Sequence, residues 1–243
     1  MVSESTGVTR SVGRHRRSAA LFASGAIGLS DNQDSLLADR AYIEIRDLLV
    51  TLEIPPGSVI NEEALGVSLG MGRTPIREAL KRLVLEKLVV VYPRRGTFAA
   101  DVQIQDLALT LDVRIPLEGL AALRATRLAE ASDIEEMEAL LGDLGETLDK
   151  RHLLEIDAQF HRALYRCARN PYLESTLSQY LNLSMRILHL VLDRVPNLQF
   201  HLAEQNEILD AIRSRDGARA EATAKEHLVV FENEMNAVLF SRD

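Results

Sequence analysis

The sequence predicts a mainly α chain in two parts: an N-terminal three-helix unit closed by a small β-hairpin, then a C-terminal all-α helical bundle. Apolar residues recur at helical spacing over nearly all of the chain beyond residue 35. The two short β-type runs, residues 88–92 and 97–100, flank a Pro-Arg-Arg-Gly turn. With 243 residues, 47% of them apolar, the chain can bury two cores.

Residues 1–35 read as a flexible Ser/Gly/Arg-rich tail. Arg14, Arg16 and Arg17 precede a mildly apolar stretch, but Ser24, Gly25 and Gly28 interrupt it and deny it the density of a secretory signal. From Leu36 to Leu52 the spacing of Ala41, Tyr42, Ile45, Leu48, Leu49 and Leu52 puts one stripe on a helix, which Pro55-Pro56-Gly57 ends. Asn61 caps a short second helix through Leu65 and Leu69, and Gly70-Met71-Gly72 turns the chain. Thr74-Pro75 opens a third helix whose buried face is Ile76, Ala79, Leu80, Leu83, Val84 and Leu88. With the hairpin that follows, residues 36–101 form a winged helix-turn-helix.

Residues 103–240 carry six helical segments and no strand signal. Pro116 is expected to kink or restart the first of them, which otherwise runs from about Ile104 to Leu128. Ser132 and Glu135 read as a capping box before the stripe Ile134, Met137, Leu141, Leu144 and Leu148. The remaining helices are expected over residues 153–168, 172–195, 198–213 and 218–240, separated by Asn170-Pro171, Pro196-Asn197 and Asp216-Gly217.

Charge narrows the function. The net charge of −8 divides into +1 over residues 1–35, +1 over 36–100 and −10 over 101–243. Phosphate attraction depends on which face carries the cations, so an acidic second part does not exclude nucleic acid as a partner of the first. The single cysteine, Cys167, cannot form an internal disulfide and fits a reducing, cytoplasmic setting. No apolar run reaches the roughly 18–20 residues that span a bilayer, so no membrane association is expected.

A helix entering the major groove needs one buried side and hydrogen-bond donors near its N-terminus. Arg73, Thr74, Arg77 and Lys81 meet that demand. Arginine forks onto guanine O6 and N7, so Arg73 and Arg77 are the base-reading candidates, with Thr74 on phosphate or a thymine methyl and Lys81 on the backbone or water. Arg94 and Arg95 beside Gly96 suit a minor-groove or phosphate approach at the hairpin tip. Most charged helix faces are merely solvated; it is the order of short helix, donor-bearing helix and basic-tipped hairpin that gives this one its meaning.

In the second part, Asp157 and His161 share one helix face at i and i+4, while His201 and Gln205 lie on a stripe with Ile208 and Ile212. His227 lies with Ala220, Ala224 and Phe231. Three helices thus aim Asp157, His161, His201 or Gln205, and His227 at one interior, a donor set suited to a divalent zinc, nickel or manganese ion. Any one of these histidines alone would read as a buried, hydrogen-bonded core residue.

Residues 41–101 resemble the DNA-binding domain of the GntR family. The resemblance rests on Ile54-Pro55-Pro56-Gly57, on Arg73-Thr74-Pro75-Ile76-Arg77-Glu78-Ala79-Leu80 with Leu83 and Leu88, and on Arg95-Gly96-Thr97-Phe98. It implies a homodimer on palindromic double-stranded operator DNA, with Arg73 and Arg77 on bases and Gly96 at the wing tip. Gly72 departs from a common serine, and Glu63 from an arginine found in some relatives. Residues 103–240 resemble the FCD ligand-binding domain of the FadR subfamily, in its six-helix VanR-like variety. In metal-binding members the ligands are an aspartate, a histidine four residues later and two histidines on the last two helices. Asp157, His161 and His227 match, and Gln205 stands where the remaining histidine is expected, with His201 one turn earlier.

The resemblance further implies that Arg114 contacts a small organic acid beside the metal. The expectation is a regulator, a repressor released by a small carboxylate-type metabolite, and not an enzyme. An alternative is a metal-dependent hydrolase with a DNA-targeting domain, Asp157, His161 and His227 holding a catalytic zinc. No His-Glu-x-x-His, Gly-x-Ser-x-Gly or phosphate-cradling glycine loop accompanies them.

Overall fold

The computed structural model describes residues 33–142, 149–195 and 198–240. Most of the predicted tail, together with Leu144, Leu148 and the Pro196-Asn197 break, lies outside the described residues. The winged unit comprises α1 (Gln33–Val50), α2 (Glu62–Leu69), α3 (Arg73–Leu85), β1 (Val89–Tyr92) and β2 (Gly96–Ala99). Ala41, Ile45 and Leu49 recur every four residues along α1 and are wholly buried against Ile76, Ala79 and Leu83 of α3. The Asn61 side chain accepts hydrogen bonds from the Glu63 and Ala64 amides, satisfying two otherwise orphaned donors at the start of α2. Gly70 ends α2 in the left-handed region, and its φ of 66° is one that a side chain would strain. Gly72 precedes α3 with no side-chain cap.

The hairpin pairs antiparallel in the register Val89↔Ala99 to Tyr92↔Gly96. Residues 57–60 run along its outer edge: Ile60 N–H donates to Thr97 O at 2.8 Å and Ala99 N–H to Ser58 O at 2.9 Å, which ties the wing to the start of α2.

The helical part comprises α4 (Asp106–Leu128), α5 (Ala131–Gly142), α6 (Lys150–Cys167), α7 (Pro171–Leu190), α8 (Leu198–Arg213) and α9 (Gly217–Phe240), with a 3-10 turn at Leu192–Arg194. That turn divides what the pattern presents as one helix over residues 172–195. α4 is central and packs against α6, α7, α8 and α9.

Two expectations are corrected. Pro116 does not restart its helix, because α4 runs through it without a break. A proline costs about 3 kcal/mol inside a helix. Here Leu111, Ala121, Ala122 and Ala125 of α4 are wholly buried, and that burial holds the helix on both sides of the proline. Ser132 is not a cap either. α5 starts at Ala131, which places Ser132 inside the first turn, and the Asp133 carboxylate reaches back to accept from Glu130 N–H at 2.8 Å.

The buried residues form two clusters, one per part, and the cores touch across their boundary. Val50 of α1 belongs to the helical cluster, and Leu183 of α7 packs against the winged one.

Candidate functional site

The first candidate site is a cleft at the N-terminus of α3. Arg73 and Arg77 project outward with side chains 66% and 60% exposed, while Pro75 and Ile76 between them are buried. Arg73, Arg77, Asn61 and Gly96 line one concavity between α2, α3 and the wing. Thr74, Lys81, Arg94 and Arg95 are exposed outside that lining. Arg94 adopts a φ of 64°, which turns the hairpin tip. The structure also shows the anionic partners of the cations. Arg77 Nε donates to Glu62 Oε2 at 2.7 Å, Arg73 Nη2 stands 3.3 Å from Glu63 Oε2, and Lys81 Nζ bonds Glu78 Oε1 at 2.7 Å. Glu62 is legible only after folding, since it lies a helix and a turn away in sequence.

The second candidate site is a chamber of about 20 Å³ among α4, α6, α7, α8 and α9. That volume suits one water or ion, which needs about 10–15 Å³. Arg114, Asp157, His161, His201 and His227 all line it, with Met185 and Leu188 of α7 among its apolar walls. Gln205 is buried beside it and donates from Nε2 to Asp157 Oδ1 at 2.6 Å; its Oε1 has no hydrogen-bond partner.

Three acidic residues absent from the sequence-based set organise this chamber. Glu118, one turn beyond Arg114, accepts from Arg114 Nε at 2.8 Å and from the Tyr165 hydroxyl at 2.5 Å, and its second oxygen stands 2.9 Å from His161 Nδ1. Burial would raise the Glu118 carboxyl, but Arg114 and then His161 hold it well below the usual carboxylate range. Burial likewise opposes a charge on His161, yet Glu118 and Asp157 push its pKa up. Glu204 accepts from His227 Nδ1 at 3.0 Å, and Glu234 faces His201 Nε2 at 2.8 Å. The i, i+4 spacing of Arg114 and Glu118 and the i, i+3 spacing of His201 and Glu204 were usable signals for two of these carboxylates; Glu234 had none.

The donor chemistry fits a divalent metal at Asp157, His161 and His227, which each offer one ligand atom within 4.8 Å of the others. His227 Nδ1 bonds Glu204, the arrangement that orients a histidine to ligate through Nε2, while His161 Nδ1 stands 2.9 Å from Glu118 Oε2 outside hydrogen-bond geometry. His161 Nε2 stands 3.6 Å from Asp157 Oδ1. In the fourth place the Gln205 amide donates to that same oxygen instead of offering an imidazole.

Residues 37–99 match the family described as bacterial regulatory proteins, gntR family, and residues 110–229 match the FCD domain. A Streptomyces ambofaciens protein named as an HTH-type transcriptional regulator in an unstable DNA locus is 30% identical over 195 residues, covering 79% of this chain and 82% of that protein. The Escherichia coli HTH-type transcriptional repressor RspR is 25% identical over 190 residues, covering 77% and 83%. The solved structure of E. coli McbR/YncC superposes with a TM-score of 0.71 at 24% identity, covering 82% of this chain and 96% of that one, a likeness of fold.

Proposed function

The chain belongs to the GntR family of bacterial transcription regulators and carries an FCD domain, and from that premise we propose that it is a homodimeric repressor of a palindromic operator, released by a small carboxylate-type metabolite. The family and the relatives are regulators and not enzymes, so the hydrolase alternative falls away. Repression is supported by the names of two relatives, RspR and a probable D-xylose utilization operon repressor of Paenarthrobacter nicotinovorans.

The observation that carries the DNA reading is the shared cleft of Arg73, Arg77 and Gly96. A rigid helix presents two guanidinium groups beside Gly96 of the wing, which carries no side chain. Arg73 and Arg77 read base edges, Thr74 and Lys81 position the helix on the backbone, and Arg94, Arg95 and Gly96 approach phosphate or the minor groove. Residues 36–101 act as the DNA-binding domain and 103–240 as the effector and dimerisation domain.

Effector entry widens a chamber that as it stands suits one ion, bringing the carboxylate to the Arg114 N–H groups that Glu118 does not engage. Asp157, His161, His201 and His227, with Gln205 beside them, supply donors for one zinc, nickel or manganese ion. A bound ion would supply positive charge for an anionic effector oxygen. Coupling needs only about 1–3 kcal/mol between the chamber and the operator to change affinity roughly 5–150-fold.

The test is selection of bound sequences from random duplex DNA, followed by footprinting of the recovered site. A protected palindrome is expected, and Arg77→Ala should weaken specific binding by about 1–3 kcal/mol and relax one base position while random-DNA affinity holds. Recovery of no enriched palindrome would overturn the reading.

A further inference from the structure

His201 is 4% exposed, and its two nitrogens meet different surroundings. Nε2 stands 2.8 Å from Glu234 Oε2, an oxygen that only accepts, so Nε2 carries the hydrogen. Nδ1 is buried without a hydrogen-bond partner and faces Glu204 Oε2 at 3.5 Å. His201, Glu204 and His227 each offer one ligand atom within 4.8 Å of the others, a donor set open to a cation.

The same Glu204 oxygen is 3.0 Å from His227 Nδ1, and the ring of Phe231 meets His201 edge-on at 5.2 Å, sheltering the group. Ligand atoms held tetrahedrally at about 2.0–2.2 Å from a zinc ion lie about 3.3–3.6 Å from one another. The two distances from Glu204 Oε2, 3.0 and 3.5 Å, lie within a few tenths of an ångström of that spacing. Two imidazole nitrogens and one carboxylate also make the donor set of zinc sites that keep one position open. Glu234 behind His201 Nε2 supplies the outer carboxylate that such histidines use for orientation.

We propose that this chain holds its divalent cation between His201 Nδ1, Glu204 and His227 Nδ1, and not between Asp157, His161 and His227. The proposal deepens the metal-dependent part of the proposed function. The two positions compete, because a neutral His227 has one lone-pair nitrogen. With its hydrogen on Nδ1, bonded to Glu204, His227 serves Asp157 and His161 through Nε2; with the hydrogen on Nε2, it serves Glu204 and His201 through Nδ1. Gln205 tips the choice. Its amide occupies Asp157 Oδ1 where an imidazole ligand is expected, which weakens the first position and leaves the second intact.

The test is a zinc titration of chelator-stripped full-length protein by calorimetry, with the folded state of each variant checked by circular dichroism. One zinc per chain is expected. His201→Gln and Glu204→Gln should each weaken binding at least tenfold, and Asp157→Asn less than threefold. The reverse ranking would place the ion with Asp157 and His161 and overturn the proposal, as would a wild-type chain that binds no zinc. Anomalous diffraction from zinc-loaded wild-type crystals gives an answer independent of any variant: the peak belongs beside His201 Nδ1, and a peak beside His161 Nε2 refutes the assignment. Operator footprinting is a separate measurement, so failure here and failure of the DNA reading are distinguishable.

Discussion

Arg186 Nη2 donates to the carbonyl oxygen of Ala100 over 2.6 Å, and Nε of the same guanidinium reaches Leu49 O at 3.2 Å. Arg186 sits on α7, whereas Leu49 lies near the end of α1 and Ala100 just past the wing. The side chain is 1% exposed, so one helical residue satisfies two carbonyls of the winged unit away from water. Its neighbours Met185 and Leu188 line the chamber. α7 therefore touches the ligand chamber and the DNA-binding unit within one helical turn. A shift of α7 has a direct mechanical route to the recognition helices.

Arg186→Met keeps much of the buried stem and removes the donors, leaving two carbonyls unsatisfied at about 1–3 kcal/mol each. We expect a loss of about 2–6 kcal/mol in the coupling of the two parts. Scanning calorimetry should resolve two transitions in the variant where the wild type shows one. A single transition at the wild-type temperature would show that the contact carries no coupling.

Glu62 and Arg77 make an exposed pair, and such pairs are worth about 0–1 kcal/mol to folding. Against DNA the balance differs, since Glu62 lines the cleft where phosphates would come close. Glu62→Gln should leave the urea midpoint within about 0.5 kcal/mol of wild type while raising affinity for random duplex DNA several-fold at low salt. Unchanged affinity, measured by fluorescence anisotropy, would place this cleft away from the DNA.

Much of the architecture was legible because its causes are local. The Asn61 cap, the Pro93-to-Gly96 turn and the four-residue spacing of Ala41, Ile45 and Leu49 each act within one or two turns of chain. Pro116 was misread for the opposite reason: the penalty is local, but the burial that offsets it comes from α6, α7 and α9, which no short window reveals. Ser132 was misread because Ser132–Glu135 fits a capping box as well as Asp133 fits a reach back to Glu130. The inward set Asp157, His161, His201 and His227 followed from helical periodicity. Glu118 and Glu204 had only their spacing from Arg114 and His201 to mark them, and Glu234 not even that, because an acidic residue on a surface-like pattern looks the same whether it faces water or a buried imidazole. Arg186 escaped notice for the same reason.

Cys167 is 1% exposed at the end of α6, and burial, followed by the Asp133 carboxylate, pushes its thiol up to about 12. Alkylation requires the thiolate, so the native protein should resist iodoacetamide at pH 8 and react fully once unfolded in guanidinium. Mass spectrometry of the modified chain measures both. Rapid native alkylation would mean that the packing of α5 on α6 opens under native conditions.

His189 lies in the last turn of α7, where the helix dipole favours an imidazolium by about 0.3–1 kcal/mol. Burial opposes it, with Arg151 adding to the effect, and together they bring the pKa down from 6.5 to about 4. Each pKa unit is worth about 1.4 kcal/mol, so burial outweighs the dipole. Because the folded pKa lies below the unfolded one, the unfolded chain binds the proton first as pH falls. His189 therefore makes no pH-dependent demand above about pH 6.5, and its neutral burial becomes progressively destabilising from there down to about pH 4. With partial solvent access allowed for, the loss should be on the order of 2 kcal/mol. Urea unfolding at pH 7.5 and pH 4.5 should show wild-type stability falling by that much more than the stability of His189→Gln, which has no proton to take up at this position. Equal losses in the two proteins would mean that His189 reaches water freely, with the end of α7 more open than its packing indicates.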